Sequence, residues 1–348
     1  MRHDRACRPR ETEGMRVLLN SYLQLGKGSS LLVRWHLEAN DFSAQAALSD
    51  FVAVCCEEGI NVEMEPVDEQ STFSRDVLDE YDVILYVSKT RSIHRKQLIE
   101  CLADRPGKAA VYRLFDFRYS LFDLCFRIGK QELMTLNSRI LAQAKAASTI
   151  TVTSRAGTNL TVRPDALAHW TSNYGHFRAP FPGVFPCGEV STFSSAVDGV
   201  FVADGAINMS YPFDYDPRLD GREVRLEISQ GRITRYRTDD PLVDALCKNL
   251  LTVENAGRVG EIGFGTNEGI DRFVPFRSLI NERMPGFHLG FGAPVKNGSY
   301  PEWTCSLHTD FILARPYVYF DDELVFSDGH WKLSGERMGE ADLYADAI

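Results

Sequence analysis

Residues 81–89, YDVILYVSK, place five consecutive apolar side chains, Val83 to Val87, between polar ends. An apolar run without alternation suits a strand covered on both faces, as in a parallel sheet clad by helices. The flanking stretches agree with that reading. SSLLVRW (29–35) predicts a strand after a Gly-Lys-Gly turn. DFSAQAALSDFVAVCCEEG (41–59) predicts a helix: Asp41 or Ser43 can cap it, apolar residues recur at helical spacing, and Gly59 ends it. NVEMEPV (61–67) and KAAVYRLF (108–115) predict strands, and SIHRKQLIECLADRPG (92–107) and KQELMTLNSRILAQAKAAS (130–148) predict helices. Strand and helix in alternation predict an α/β N-terminal domain, residues 15–148, with a mostly parallel layered sheet. The polar opening MRHDRACRPRETEG (1–14) has no hydrophobic signal core and is expected to be a disordered tail.

The texture changes near residue 149. STITVTSRAGTNLTVRP (148–164) has two alternating runs around a turn, the pattern of a hairpin. GVFVADGAINMS, REVRLEISQGRITRYR and RPYVYFDDELVFSDGHWKL read as further strands joined by Gly or Asp turns. Two stretches read as helices, residues 239–257 and residues 269–283. Residues 149–335 are therefore expected to form an α+β, hairpin-rich domain, with a tail at 336–348. QLGKGSS (24–30) lacks the spacing of a phosphate loop, and GFGTNEG (263–269) reads as a turn, not a dinucleotide fingerprint.

Composition narrows the function classes. The net charge of −10 and the lack of a long Lys/Arg run argue against a nucleic-acid partner. No apolar run of about 18 residues marks a transmembrane helix, so no membrane partner is expected. Eight cysteines without a CxxC pair are too sparse for a disulfide scaffold, which predicts a reducing, cytoplasmic setting.

Acids and imidazoles gather in the second half, each beside an apolar or Gly-rich strand signal. FPCGEVSTF carries Glu189, GRVGEIGFGTN carries Glu261, NERMPGFHLGFG carries Glu282 and His288, and SLHTDFIL carries His308 and Asp310. On a strand, His308 and Asp310 leave the same face. Alone, that pair reads equally as a buried ion pair or as metal ligands. Buried carboxylates repel one another unless a cation neutralises them. Four acids and two histidines make an inventory for two divalent ions, and mixed N/O donors suit zinc, cobalt and manganese alike.

In the order CGEV, GEIGFGTN, NERMPGFHLGFG, SLHTDFIL, DDELVFSDG, and in the LLNSYLQLGKGSSLLVRW stretch (18–35), the chain resembles the aminopeptidase T family of metal-dependent peptidases over roughly residues 15–335. The resemblance implies Glu189, Glu261, Glu282, His288, His308 and Asp310 as metal ligands, with Glu261 the bridge between two ions. It implies hydrolysis of a peptide or small amide by a metal-activated water, with Glu261 or Glu282 moving the proton, and a homodimer. Val295 stands where better-known members carry a catalytic tyrosine, and Tyr300 is the nearby substitute; Glu268 is a further acid–base candidate. The segment HWTSNYGHFRAPFPGVFPCG offers His169, His176 and Arg178 for substrate binding. Cys187 and Cys305 lie near the motifs, as packing residues or beside the metals.

Two other classes stay open. A dihydroxypyridine-type ring-cleaving dioxygenase shares the fold and the final His-x-Asp, but uses one Fe(II) and has histidine where this chain has Glu261. A non-catalytic relative would keep the fold to bind a peptide or small ligand.

Overall fold

The computed structural model describes residues 9–37, 40–68, 70–88, 95–104, 107–115, 117–209, 215–296 and 298–333. Residues 1–8 of the tail expected at 1–14, and the tail expected at 336–348, lie outside the described residues. The chain divides into two compact units, Met1–Glu132 with Asn173–Cys187, and Leu133–Ser172 with Gly188–Ile348. The change of texture at 148/149 therefore falls inside the second unit, and residues 173–187 return to the first.

In the first unit five strands run parallel in the order Asn61–Pro66, Ser30–His36, Val83–Ser88, Ala110–Leu114, Gly183–Phe185. The strand Val83–Ser88 is central and every residue in it is buried, which is why its sequence is apolar without alternation. The helix Phe42–Glu57 follows the first strand. Asp41 caps it, its carboxylate accepting from the Ala44 amide at 3.1 Å. Pro9–Val17 is also helical, with Gly14 and Met15 buried, where a tail through residue 14 was the expectation. Gly14 lies against backbone: a Cβ there would fall 2.1 Å from the Phe122 carbonyl oxygen, so this helix docks where only glycine fits. Among the described residues no helix is long and apolar enough to cross a membrane.

The second unit is built on two sheets. Its eight-stranded sheet contains the hairpins Ile150–Ser154/Asn159–Val162 and Val224–Ser229/Arg232–Arg237. A six-stranded sheet has the order Ala206–Met209, His308–Ile312, Gly286–Gly292, Val259–Gly265, Glu189–Thr192, Thr171–Asn173. One face of the six-stranded sheet is apolar. Ile262, Phe264, Phe287, Leu289, Phe291 and Phe311 join a single core with Phe201, Val318, Phe320 and Trp331 of the other sheet. Phe264 meets Phe320 and Trp331 edge-on at ring separations of 5.8 and 5.9 Å. The helix Pro241–Leu251 is capped by Asp240. The second expected helix, 269–283, is reduced to one turn, Ile280–Arg283. Residues 269–279 instead run irregularly, with Asn281 Oδ1 accepting from the Val274 amide at 2.8 Å. The unit is thus mainly antiparallel sheet.

Candidate metal centre

The opposite face of the six-stranded sheet carries the acids and imidazoles. Register explains how. Glu261 lies opposite Gly290, Gly290 opposite Asp310, and Asp310 opposite Asn208, one residue from each of four neighbouring strands. Directly opposite residues share a face, and so do residues two apart. His308 and His288 therefore project on the same side as Asp310 and Gly290. Glu189 joins them from the next strand, opposite Gly265. Between these side chains the positions are glycine for want of space. A Cβ on Gly290 would fall 2.8 Å from both Glu261 Cβ and His308 Cε1, and 3.0 Å from Asp310 Oδ1. The Gly-rich strands form a cradle that the ionisable side chains fill.

Five of the six sequence-predicted ligands converge in two overlapping groups, Glu189/Glu261/His288 and Glu261/His308/Asp310, each with donor atoms within 4.8 Å of one another; Glu282 belongs to neither. In the second group His308 Nε2 is 2.9 Å from both Glu261 Oε2 and Asp310 Oδ1. His308 Nδ1 donates to the Ala293 carbonyl at 2.9 Å, which turns Nε2 toward the carboxylates. A carbonyl on the far ring nitrogen is the usual support of a metal-bound histidine. Separations near 3 Å also match neighbouring ligands around an ion with bonds of about 2.0–2.2 Å. These donors fit one divalent ion.

The first group is different because of a residue the motifs did not flag. Arg283, buried at the end of the short helix, brings Nη1 to 2.5 Å from Glu189 Oε1 and 3.2 Å from Glu282 Oε1. His288 Nε2, only 1% exposed, stands 3.2 Å from the same Glu189 oxygen. Glu282 faces Asn208, whose amide donates to its Oε2 at 3.3 Å and to the Ser278 carbonyl at 2.9 Å. Asn137 holds the Glu189 backbone, donating to its carbonyl at 3.1 Å, and accepts from Thr266 at 2.6 Å.

Protonation follows from this crowding. Burial pushes Glu282 well above the usual carboxylate range, and the Asp310 charge adds to it. Burial alone would lower the His288 imidazole, but Glu189 overrides it and lifts it to about 9. Burial opposes charge on His308 too, and Asp310 and Glu261 raise it above its ordinary value. Asp310 and Glu261 are lowered against their burial, both chiefly by His308. Without an ion, Arg283, His288 and His308 thus balance Glu189, Glu261 and Asp310, while Glu282 keeps its proton. Arg283 is a cation that the sequence inventory of acids and imidazoles did not include.

The other candidates are placed elsewhere. The Tyr300 hydroxyl hydrogen-bonds the Asp165 carboxylate and its ring meets Phe193, so it is not turned to the cluster. Glu268 accepts from the Trp331 amide at 3.3 Å. His176 and Arg178 belong to the first unit, where the His176 ring stacks on Tyr174 at 4.2 Å. The His169 carbonyl accepts from Thr192 at 2.9 Å. Cys187 is buried in the first unit, and its sulfur would lie 3.1 Å from a Cβ on Gly175, which makes it a packing residue. Cys305 accepts from the Leu307 amide at 3.4 Å. The seven described cysteines are all free thiols.

Solved structures share this fold. The chain is similar to the 2,5-dihydroxypyridine dioxygenase of Pseudomonas putida KT2440, with a TM-score of 0.63 and 15% identity over 92% of this chain and 96% of that one. It is also similar to the aminopeptidase AmpT of Thermus thermophilus, with a TM-score of 0.58 and 15% identity over 92% and 99% of the two chains. At such identity the likeness is one of fold, which is as far as the aminopeptidase T resemblance reaches. The matching family model is of another kind: crocagin biosynthetic protein CgnE/B, over residues 186–320. No curated protein matches the sequence.

Proposed function

We propose that this chain acts on a peptide or a small amide metabolite in natural-product biosynthesis, as an amide hydrolase using one divalent ion held by Glu261, His308 and Asp310. The observation that carries this reading is the convergence of those three side chains, with His308 locked by the Ala293 carbonyl. The biosynthetic description of the matching family and the peptidase among the fold neighbours support the choice of substrate class. A bound ion of this kind lowers the pKa of its water toward about 7 and polarises a carbonyl. The chain itself supplies the anchoring of His308 and the Glu282 carboxyl beside Asp310. One histidine with two carboxylates differs from the two-histidine, one-carboxylate set suited to an Fe(II) oxygenase, and this favours hydrolysis over ring cleavage. Metal analysis of purified protein with an assay for amine release from short peptides tests the reading. About one zinc, cobalt or manganese per chain, with activity lost in His308→Ala, is the expected result. One iron with oxygen uptake contradicts it.

A second reading has its own observation. Arg283 and the two histidines balance the carboxylates with no ion at all, as a non-catalytic peptide-binding relative requires. Peptide binding that survives a chelator and His308→Ala, with no hydrolysis, favours it.

A further inference from the structure

We infer that the Arg283 guanidinium takes the place of one of the two ions of the peptidase-like arrangement, so that the chain binds a single divalent ion and substituting Arg283 opens a second site. The inference rests on the one-ion reading above and adds a claim about stoichiometry.

Three observations carry it. First, the guanidinium occupies the first donor group, sharing Glu189 Oε1 with His288 Nε2. An ion placed among Glu189, Glu261 and His288 would compete for that same oxygen, with a full positive charge at contact distance. Second, Arg283 cannot step aside by losing its proton, as a histidine does, because guanidinium stays charged in proteins. Its backbone is also fixed: the Arg283 amide donates to the Leu279 carbonyl at 3.2 Å, and the Arg283 carbonyl accepts from Asn267 at 3.0 Å. Asn281, two residues earlier, is tied to Val274 and Asn208. Third, His288 Nε2 lies in ligand position, 1% exposed and facing Glu189 Oε1 at 3.2 Å. The imidazole and the guanidinium thus meet on the one carboxylate oxygen that an ion in this group would need.

The test is a titration with Zn(II) and with Co(II), read by calorimetry and by metal content after gel filtration, on the wild-type chain, Arg283→Met and Arg283→Lys. We expect one ion in the wild type, two in Arg283→Met and one in Arg283→Lys, since lysine keeps the charge. Two ions in the wild type, or still one in a folded Arg283→Met, overturn the inference and leave the one-ion reading standing. No ion in the wild type with one in Arg283→Met overturns the stoichiometry inferred here together with the one-ion reading. No ion in either overturns both. Should Arg283→Met fail to fold, Glu189→Gln decides. Unchanged affinity for one ion supports the inference, because the ion then lies away from the Glu189 carboxylate that Arg283 and His288 share. A loss of tenfold or more places the ion at Glu189 and overturns it.

Discussion

Gly263 lies directly beneath the His288 imidazole: a Cβ at residue 263 would fall 2.0 Å from Nε2. The two residues are also cross-strand partners. The ring thus rests on bare backbone, and the glycine is a requirement of the cluster, not of a turn. Gly263→Ala is expected to drive His288 off Glu189 and to destabilise the chain by about 1–3 kcal/mol, the usual cost of overpacking. Denaturant unfolding measures this. Gly290→Ala is expected to cost as much and also to weaken ion binding, since its Cβ meets Glu261, His308 and Asp310.

Asn208 joins the cluster without being ionisable. Its amide donates to Glu282 and to Ser278, and its carbonyl accepts from Asn281 at 3.4 Å. Asn208→Ala leaves those buried groups unsatisfied, with an expected loss of about 1–3 kcal/mol. Ion affinity is expected to fall as well, because Asn208 positions the Glu282 carboxyl beside Asp310. Calorimetric titration beside the wild type checks both.

Much of the fold was legible because it follows from local patterning. Val83–Val87 announced a strand covered on both faces, and Asp41, read with Ser43 as a possible cap, announced a helix start, since an apolar run and a cap act within a few residues. The positions of Glu189, Glu261, His288, His308 and Asp310 were legible for a similar reason: strand periodicity and short motifs carry them. Arg283 was not. Its effect depends on the Ile280–Arg283 turn folding back toward Glu189, 94 positions earlier in the chain. The one available signal was its adjacency to Glu282. The helix expected over 269–283 failed because Asn281 spends its side chain on the Val274 backbone, holding the chain away from helix. Tyr300 was drawn toward the site by sequence proximity, but Asp165 takes its hydroxyl.

The His176 imidazole gives the chain a mild acid sensitivity. Burial holds it down at about 4, with Lys130 and Arg178 adding to the effect. An unfolded histidine titrates near 6.5. Between those values the unfolded chain binds the extra proton, so stability is expected to fall as pH drops from about 6.5 to 4 and to level off below. The size is of the order of 2–3 kcal/mol. His176→Gln is expected to flatten that window when thermal unfolding is followed across it.

Phe264 joins the two sheets of the second unit, fully buried between Phe287, Phe320 and Trp331. Phe264→Ala is expected to cost about 3–5 kcal/mol. Because Gly263 and Gly265 flank it on the cluster face, the variant is also expected to loosen ion binding. A destabilised chain with unaltered affinity would show that the two faces are independent.

The alternation of Glu261, Gly263 and Gly265 with Ile262 and Phe264 has a consequence for how the sheet finds its pairing. A slip of one residue in this strand would send Glu261 into the phenylalanine core and lift Phe264 into the ionic cradle. Both errors are costly, one through an unpaired buried charge and the other through a ring forced among carboxylates. The same cluster that offers a seat for an ion therefore proofreads strand register, and it does so whether or not an ion ever arrives.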